Sequence, residues 1–300
     1  KQQQQQQRGP LSSNKNGVRI KAQTDDGVDE PVTLADEAAN RIFVNGYAQR
    51  FPQLTLFSEE RNPPPLPEIL SGDLSLPLPF QEIKQDTVFR QRDLLVTIDP
   101  LDATKEFTED LVEYVTTQQC IVAGGTPVAG ILHQPFVERS ATVGLPHSGQ
   151  LLGGVQHQQP KGDAASTVTL SRSHTGEGAA MVEAYLPGRT SLPAGGAGYK
   201  ALLVAGGSAE AYLHVTKSKI WDACAADAVI HAIGGEFTQL NGDPVKYDPT
   251  DPVLRHGFLG ASSPKSHEWH LGRLKEHPVA LAGHAGEMPA EATLTTGSAS

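Results

Sequence analysis

Asp99-Pro100-Leu101-Asp102-Ala103-Thr104 is the stretch of this chain best equipped for chemistry. The apolar run before it, Leu94-Leu95-Val96-Thr97-Ile98, reads as a buried β-strand, so Asp99 and Asp102 fall at a strand end. Pro100 fixes φ and donates no ladder bond, which stops the strand there. Two carboxylates three residues apart at such a turn can point into one small volume, where like charges repel unless something neutralises them. A hard divalent cation does so with oxygen ligands, which suggests Mg²⁺. Thr104 puts a hydroxyl beside the same volume. The alternative is a plain turn in which both aspartates make Asx-type hydrogen bonds. Two further acidic stretches weigh against that alternative.

The first is Glu59-Glu60, which follows a short strand at 54–57; on their own these acids read as an exposed charge pair. The second is Trp221-Asp222, which opens a helix with apolar Ala225, Ala228, Val229, Ala232 and Ile233. Gly234-Gly235 closes that helix as a C-cap pair. Asp222 in its first turn has a plain alternative, stabilisation of the helix dipole. Asp36 is similar: it lies in the first turn of a helix predicted over 33–51, where Thr33 is the N-cap and Leu34, Ala38, Ile42 and Ala48 approximate an apolar face. Its alternative role is to serve the cap.

Two stretches suit an anion. Ser171-Arg172-Ser173-His174 follows a strand at 167–170, with a capping turn as the alternative. The glycine-rich segment 193–198 opens a helix at 199–204, where free N–H groups, a positive dipole end and Lys200 come together. The spacing is not that of a P-loop.

Stepping outward, 1–16 is a low-complexity arm with six glutamines at 2–7, expected to be disordered. Residues 18–22 read as a short strand, 25–30 as an acidic loop, 62–67 as a proline-rich loop and 107–113 as a polar connector. Hairpins are expected from 114–122 with 128–133, and from 140–143 with 150–152. A third is expected from 237–240 with 245–247, joined by a type I′ turn at Asn241-Gly242. The loop at 156–166 separates two subdomains, and a frayed tail begins near Leu274.

Over 300 residues the net charge is −10, which argues against a nucleic-acid or anionic-membrane partner. Cys120 and Cys224 read as separate buried hydrophobes rather than a disulfide or metal pair. No apolar run reaches transmembrane length.

Taken together, Glu59-Glu60 after a strand, the 99–104 hexapeptide and Trp221-Asp222-Ala223-Cys224-Ala225 running to Gly234-Gly235 resemble the inositol-monophosphatase-like superfamily of Mg²⁺-dependent, lithium-sensitive phosphatases. The resemblance covers about 18–247. Within it the detail is similar to the 3′-nucleotidases acting on 3′-phosphoadenosine 5′-phosphate, the Golgi-resident type above all. The run 99–117, the Ser171–His174 tetrad, Gly196-Ala197-Gly198-Tyr199-Lys200 and Leu213-His214-Val215-Thr216 carry it. Ala103 stands where many relatives have glycine, and the Golgi type has alanine there. Two departures stand out: the polyglutamine arm replaces the first family helix, and Asp227 replaces an uncharged residue and is expected to face solvent.

The resemblance implies an α+β fold, a layered α-β-α-β-α sandwich: a disordered arm (1–17), an N-terminal α+β subdomain with the metal site (18–160), a C-terminal α/β subdomain with a nucleotide pocket (161–273) and a flexible tail (274–300). It implies two or more Mg²⁺ ions held by Glu59, Asp99, Asp102, Asp222 and the Leu101 carbonyl, with Asp36 and Thr104 taking the proton from the attacking water. Ser171, His174, Gly196 and Lys200 would hold a small-molecule nucleotide substrate. The Golgi lumen is the implied compartment, with the cytoplasm as alternative; membrane contact is expected only through an anchor outside this chain. An inositol phosphate phosphatase and a catalytically silent scaffold are the competing readings.

Overall fold

The computed structural model describes residues 18–23, 29–60, 63–64, 88–137, 141–172 and 175–276. The polyglutamine arm, most of the proline-rich loop, Ser173, His174 and the segment after 276 lie outside these residues.

Strands β1 (Arg19–Gln23) and β2 (Asp29–Val32) pair antiparallel and lead into helix α1 (Leu34–Arg50). Asp29 and Glu30, expected in a loop, are therefore strand residues. Six strands then form one sheet in sequence order: β3 (Thr55–Ser58), β4 (Leu94–Asp102), β5 (Thr116–Ala123), β6 (Thr126–His133), β7 (Thr142–Leu145) and β8 (Gln150–Gly153). β3 is parallel to β4 and every other pairing is antiparallel, so both expected hairpins are present. Helix α2 (Thr104–Thr108) and a 3-10 turn at Val112–Tyr114 break up the expected polar connector. β4 is buried at every position after Leu94, as a strand covered on both faces must be.

The second sheet takes β9 (Thr167–Ser171), β10 (Thr190–Ala194), β11 (Ala211–His214), β13 (Glu236–Gln239) and β15 (Phe258–Ala261) in the spatial order β10-β9-β11-β15-β13. β12 (Ser218–Lys219) and β14 (Val253–Leu254) form a separate small pair. Helices α3 (Thr175–Tyr185) and α6 (Pro264–Lys275) cover the outer face of this sheet. Helices α4 (Ala197–Ala205) and α5 (Ile220–Ala232) lie between the two sheets, and α1 covers the outer face of the first. The layers are thus α-β-α-β-α.

The middle layer explains why α5 is largely apolar: ten of its thirteen residues are buried. The core between the sheets gathers Cys120, Leu132, Tyr212, Ile220, Val229, Ile230 and Phe258. A second core under α3 and α6 gathers Val168, Leu170, Leu186, Leu213, Leu259 and Leu274. α5 approaches the first sheet closely because two glycines seat it. A Cβ at Gly130 would come 2.7 Å from the Ala225 carbonyl oxygen, and one at Gly144 would come 2.6 Å from Val229 Cα.

Six expectations need correction. Strand β4 does not stop at Pro100 but runs on to Asp102, because a register shift against β5 between Asp99 and Asp102 absorbs the missing donor. Cys120 and Cys224 form a disulfide, because β5 and α5 face each other across the central layer with Cα atoms 5.7 Å apart. The hairpin over 237–247 does not form: β13 pairs with β15 instead, and Val245 and Tyr247 are drawn into the core. Asp227 does not face solvent; it is buried, accepting a 2.6 Å hydrogen bond from the Tyr247 hydroxyl and pairing with His231 Nδ1. On α1 the apolar positions Leu34, Ala38, Ile42 and Ala48 are exposed, and Asp36 and Asn40 turn inward. Leu274, placed at the start of the tail, is fully buried within α6.

Candidate active site

β4 delivers Asp99 and Asp102, and the backbone folds around Pro100 to turn both side chains inward. Leu101 N donates to Asp99 Oδ1 at 3.1 Å in an Asx-type turn. Ala103 follows with φ of 71°, a left-handed conformation that its Cβ makes costly and that glycine would adopt freely, and α2 starts directly after it. The sequence offered an Asx turn and a cation site as alternatives; the turn forms at Asp99, whose carboxyl also interacts with Glu59, Asp102 and Asp222.

Glu59 arrives from the end of β3, its N–H bonded to the Ile98 carbonyl at 3.0 Å. Asp222 arrives on the first turn of α5, where Lys219 N donates to its Oδ2 at 2.9 Å and Ser218 Oγ at 2.8 Å. Trp221 packs on Phe57 with ring centroids 5.7 Å apart, which fixes the start of α5 against β3.

The charges of these acids act on one another. Burial, then the charges of Glu59, Asp102 and Asp222, push the Asp99 carboxyl well above the usual range. Burial likewise raises Asp222, to about 6, against the hydrogen bonds from Lys219 and Ser218 that stabilise its charge. Burial and the charges of Asp222 and Glu60 raise Glu59 against the pull of Lys21. Lys21, on β1, forms ion pairs with both Glu59 and Glu60. Burial alone would lower its pKa, but the two glutamates outweigh it and hold Lys21 above the ordinary lysine value.

Asp102 is held differently. Ala197 N donates to its Oδ1 at 3.1 Å, Gly198 N to its Oδ2 at 2.8 Å, and Thr116 Oγ1 to its Oδ2 at 2.9 Å. The α4 N-terminus, read from the sequence as an anion site, here holds a protein carboxylate. Gly196, with φ of 66°, makes this possible: a Cβ there would meet Asp102 Oδ2 at 2.8 Å and the Tyr114 carbonyl oxygen at 2.9 Å.

Among the described residues, no three of the acidic, histidine or cysteine side chains are already gathered as a cation cage. Lys21, the α4 N-terminus and the α5 cap each hold one of the acids instead. The donor set still fits a hard cation. It is all oxygen, it comes from four chain positions, and its mutual repulsion is what a divalent ion relieves.

Asp36 and Thr104 meet beside these acids. Thr104 Oγ1 lies 2.9 Å from Asp36 Oδ1 and 3.0 Å from the Leu101 carbonyl oxygen, with one proton to give. Asp36 Oδ2 accepts from Thr33 N at 2.8 Å and from the Thr33 hydroxyl. The capping and chemical roles weighed for Asp36 are therefore divided between its two oxygens. Burial raises its pKa, and the bonds from Thr33 and Thr104 oppose that rise.

Of the residues expected at a substrate, Ser171 ends β9 and is partly buried. Lys200 is buried, its ammonium bonded to the Gly196 carbonyl at 2.5 Å and the Ala194 carbonyl at 3.4 Å. Burial lowers its pKa to about 8, with Asp102, Glu106 and Asp222 opposing. His174 lies outside the described residues. Lys21 and Thr116 were not singled out from the sequence. Only their spatial partners mark them, and both stand in strands where polar residues are unremarkable.

A model described as the inositol monophosphatase family matches residues 6–278. The chain belongs to the inositol monophosphatase family. It is accordingly a phosphatase, a phosphoric monoester hydrolase, and enzymes of this family use Mg²⁺. A putative inositol monophosphatase 3 of Drosophila pseudoobscura pseudoobscura is 38% identical over 271 residues, covering 89% of this chain and 75% of the relative. The Golgi-resident adenosine 3′,5′-bisphosphate 3′-phosphatase of Mus musculus is 33% identical over 276 residues, covering 89% and 75%. Among solved structures, inositol monophosphatase-II from Staphylococcus aureus MSSA476 superposes with a TM-score of 0.63 at 18% identity, over 85% of this chain and 86% of that one. An IMPase/NADP phosphatase complexed with Mg²⁺ and phosphate gives 0.60 at 15%, over 85% of each. At such identities the superpositions establish the fold, and the layered sandwich is the inositol monophosphatase fold.

Proposed function

We propose that this inositol monophosphatase family member hydrolyses 3′-phosphoadenosine 5′-phosphate to AMP and phosphate. The observation that carries the hydrolytic part is the Thr104–Asp36 hydrogen bond standing next to four converging carboxylates. Glu59, Asp99, Asp102, Asp222 and the Leu101 carbonyl would hold two or more Mg²⁺ ions. Bound there, the ions supply charge neutralisation of the phosphate, a more acidic water and stabilisation of the departing oxygen. Thr104 gives its own proton towards Asp36 Oδ1 and so presents an acceptor lone pair outward. A water placed against Oγ1 passes a proton to Thr104 as the threonine proton moves to Asp36. Thr33 keeps the other Asp36 oxygen occupied and the carboxylate fixed.

The nucleotide part rests on the 171–174 and 196–200 stretches and on relatives named as Golgi-resident adenosine 3′,5′-bisphosphate 3′-phosphatases. Ser171, His174 and Gly196 would line the nucleoside side. Lys200 would act there through the 194–196 loop it ties down. A second reading, an inositol phosphate phosphatase, is favoured by the relatives of higher identity, named inositol monophosphatase 3. Phosphate release with Mg²⁺ from 3′-phosphoadenosine 5′-phosphate, inositol 1,4-bisphosphate and inositol 1-phosphate decides between them. The nucleotide should give the highest kcat/KM; a better rate on either inositol phosphate overturns the nucleotidase reading.

We place the enzyme in the Golgi lumen. The Cys120–Cys224 disulfide suits an oxidising compartment, and several relatives are named as Golgi-resident. No helix among the described residues is long and apolar enough to cross a membrane.

A further inference from the structure

Gln118 has a place in this site that no motif of the sequence marks. It sits in β5 directly opposite Asp99 of β4. Residues so paired share one face of the sheet, with Cβ atoms about 4.5–5.5 Å apart. Two positions earlier on the same face, Thr116 pairs with Asp102 and donates to its Oδ2. The Gln118 side chain reaches the first turn of α4: a Cβ at Gly198 would come 3.2 Å from its amide carbon and 2.4 Å from Thr116 Oγ1. Gly198 N itself donates to Asp102. The amide is thus wedged between β5 and α4, next to both aspartates.

Gln118 is 1% exposed, yet neither its amide nitrogen nor its amide oxygen has a hydrogen-bond partner. A buried amide left unmatched at both ends is destabilising, and native proteins keep few of them. The inward positions that follow on the strand, Cys120 and Val122, are apolar, so an apolar residue would fit at 118. The amide needs a use that its own surroundings do not display.

We propose that Gln118 is a positioning residue for the carboxylate set. Its amide stands in reserve behind Asp99 and Asp102 and hydrogen-bonds to them when a divalent cation draws the acids together. This rests on the reading of the acids as cation ligands. A neutral amide suits the task because it orients carboxylates without competing for their charge, as Lys21 does at Glu59.

The test is thermal unfolding of wild type, Gln118→Met and Gln118→Leu in EDTA and across a Mg²⁺ titration. Both substitutions are apolar and similar in volume, so failure of one leaves the other. In EDTA the variants should melt at or above the wild-type temperature, because the unmatched amide is gone. Their Mg²⁺-induced rise in Tm should require roughly tenfold more Mg²⁺, the loss expected for one hydrogen bond to a charged group. A Mg²⁺ dependence equal to wild type, or a lower Tm in EDTA, overturns the proposal. If wild type itself shows no Mg²⁺-dependent rise, the cation reading falls and takes this proposal with it. A rise in wild type matched by the variants removes only the role of Gln118.

Discussion

Thr104 and Asp36 are 68 positions apart in the chain, and Thr104 Oγ1 lies 2.9 Å from Asp36 Oδ1 in the fold. The bond joins the first turn of α1 to the first residue of α2, so the helix cap at Thr33 and the hydroxyl at the acid cluster share one carboxylate.

That sharing predicts a two-part phenotype for Asp36→Asn. Weakening the bonds that Asp36 Oδ2 accepts from Thr33, the reciprocal half of the capping box, should cost about 1 kcal/mol of stability or less. Loss of the proton acceptor should lower turnover by roughly 10²–10⁴-fold. Tm and kcat measured on the same preparation separate the two; a lowered Tm with turnover preserved would leave Asp36 with the cap alone.

Asp99→Asn should abolish turnover while stabilising the cation-free protein. Burial and the neighbouring acids raise the Asp99 pKa in the folded state. For such an acid, stability is lost as pH rises above the unfolded value of about 3.9, until the folded-state pKa is passed. In EDTA at pH 8 the variant should melt higher than wild type, and its Tm should fall less between pH 5 and pH 8. The opposite order of melting temperatures would show that Asp99 is not electrostatically strained.

The Cys120–Cys224 bond closes a loop with a sequence separation of 104 residues. Removing it should cost about 2–5 kcal/mol. Cys120→Ala, Cys224→Ala and the double variant should therefore share one lowered Tm, and a reducing agent should add nothing to any of them. Wild-type stability in either single variant would rule out the cross-link.

His231 should make stability pH-dependent in the opposite sense to Asp99. The hydrogen bond to Asp227 raises its pKa against burial, and Glu236 adds to the rise. A histidine raised in the folded state stabilises fully below its unfolded pKa of about 6.5, and that contribution disappears as pH climbs through the folded value. His231→Gln should therefore lower Tm at pH 5.5 and change it little at pH 9; an equal change at both would assign the contact to packing.

The acids were legible because their chemistry depends on type and local spacing: Asp99 and Asp102 straddle a proline at a strand end, and Asp222 opens a glycine-closed helix. The N-cap at Thr33 was legible for the same reason. Properties that exist only in three dimensions were not. Nothing local distinguishes Cys120 and Cys224 from lone buried thiols until β5 and α5 are stacked. The inward face of α1 is polar because Asn40 accepts from Ser58 and Asp36 from Thr104, so apolar periodicity selected the wrong side. The type I′ turn at Asn241-Gly242 does not form: Asn241 lacks the positive φ it needs, and the chain turns instead around Leu240-Asn241, with Gly242 N bonded to the Gln239 carbonyl at 2.9 Å. Its far arm goes to the core, because Tyr247 finds Asp227 there and β15 supplies the partner that β13 needs.

The two glycine seats under α5 make that helix a beam clamped along its length. It bears on the sheet at Ala225, Ala228 and Val229, is pinned by the bond at Cys224, and is held at its start by Trp221 on Phe57. Val229 and Asp222 are seven residues apart, about 10 Å along the axis. A single methyl at Gly144 would therefore act as a wedge under one end, and its strain would bear on the fixed points between it and Asp222. The seating of this helix is set by the absence of two side chains on the neighbouring sheet.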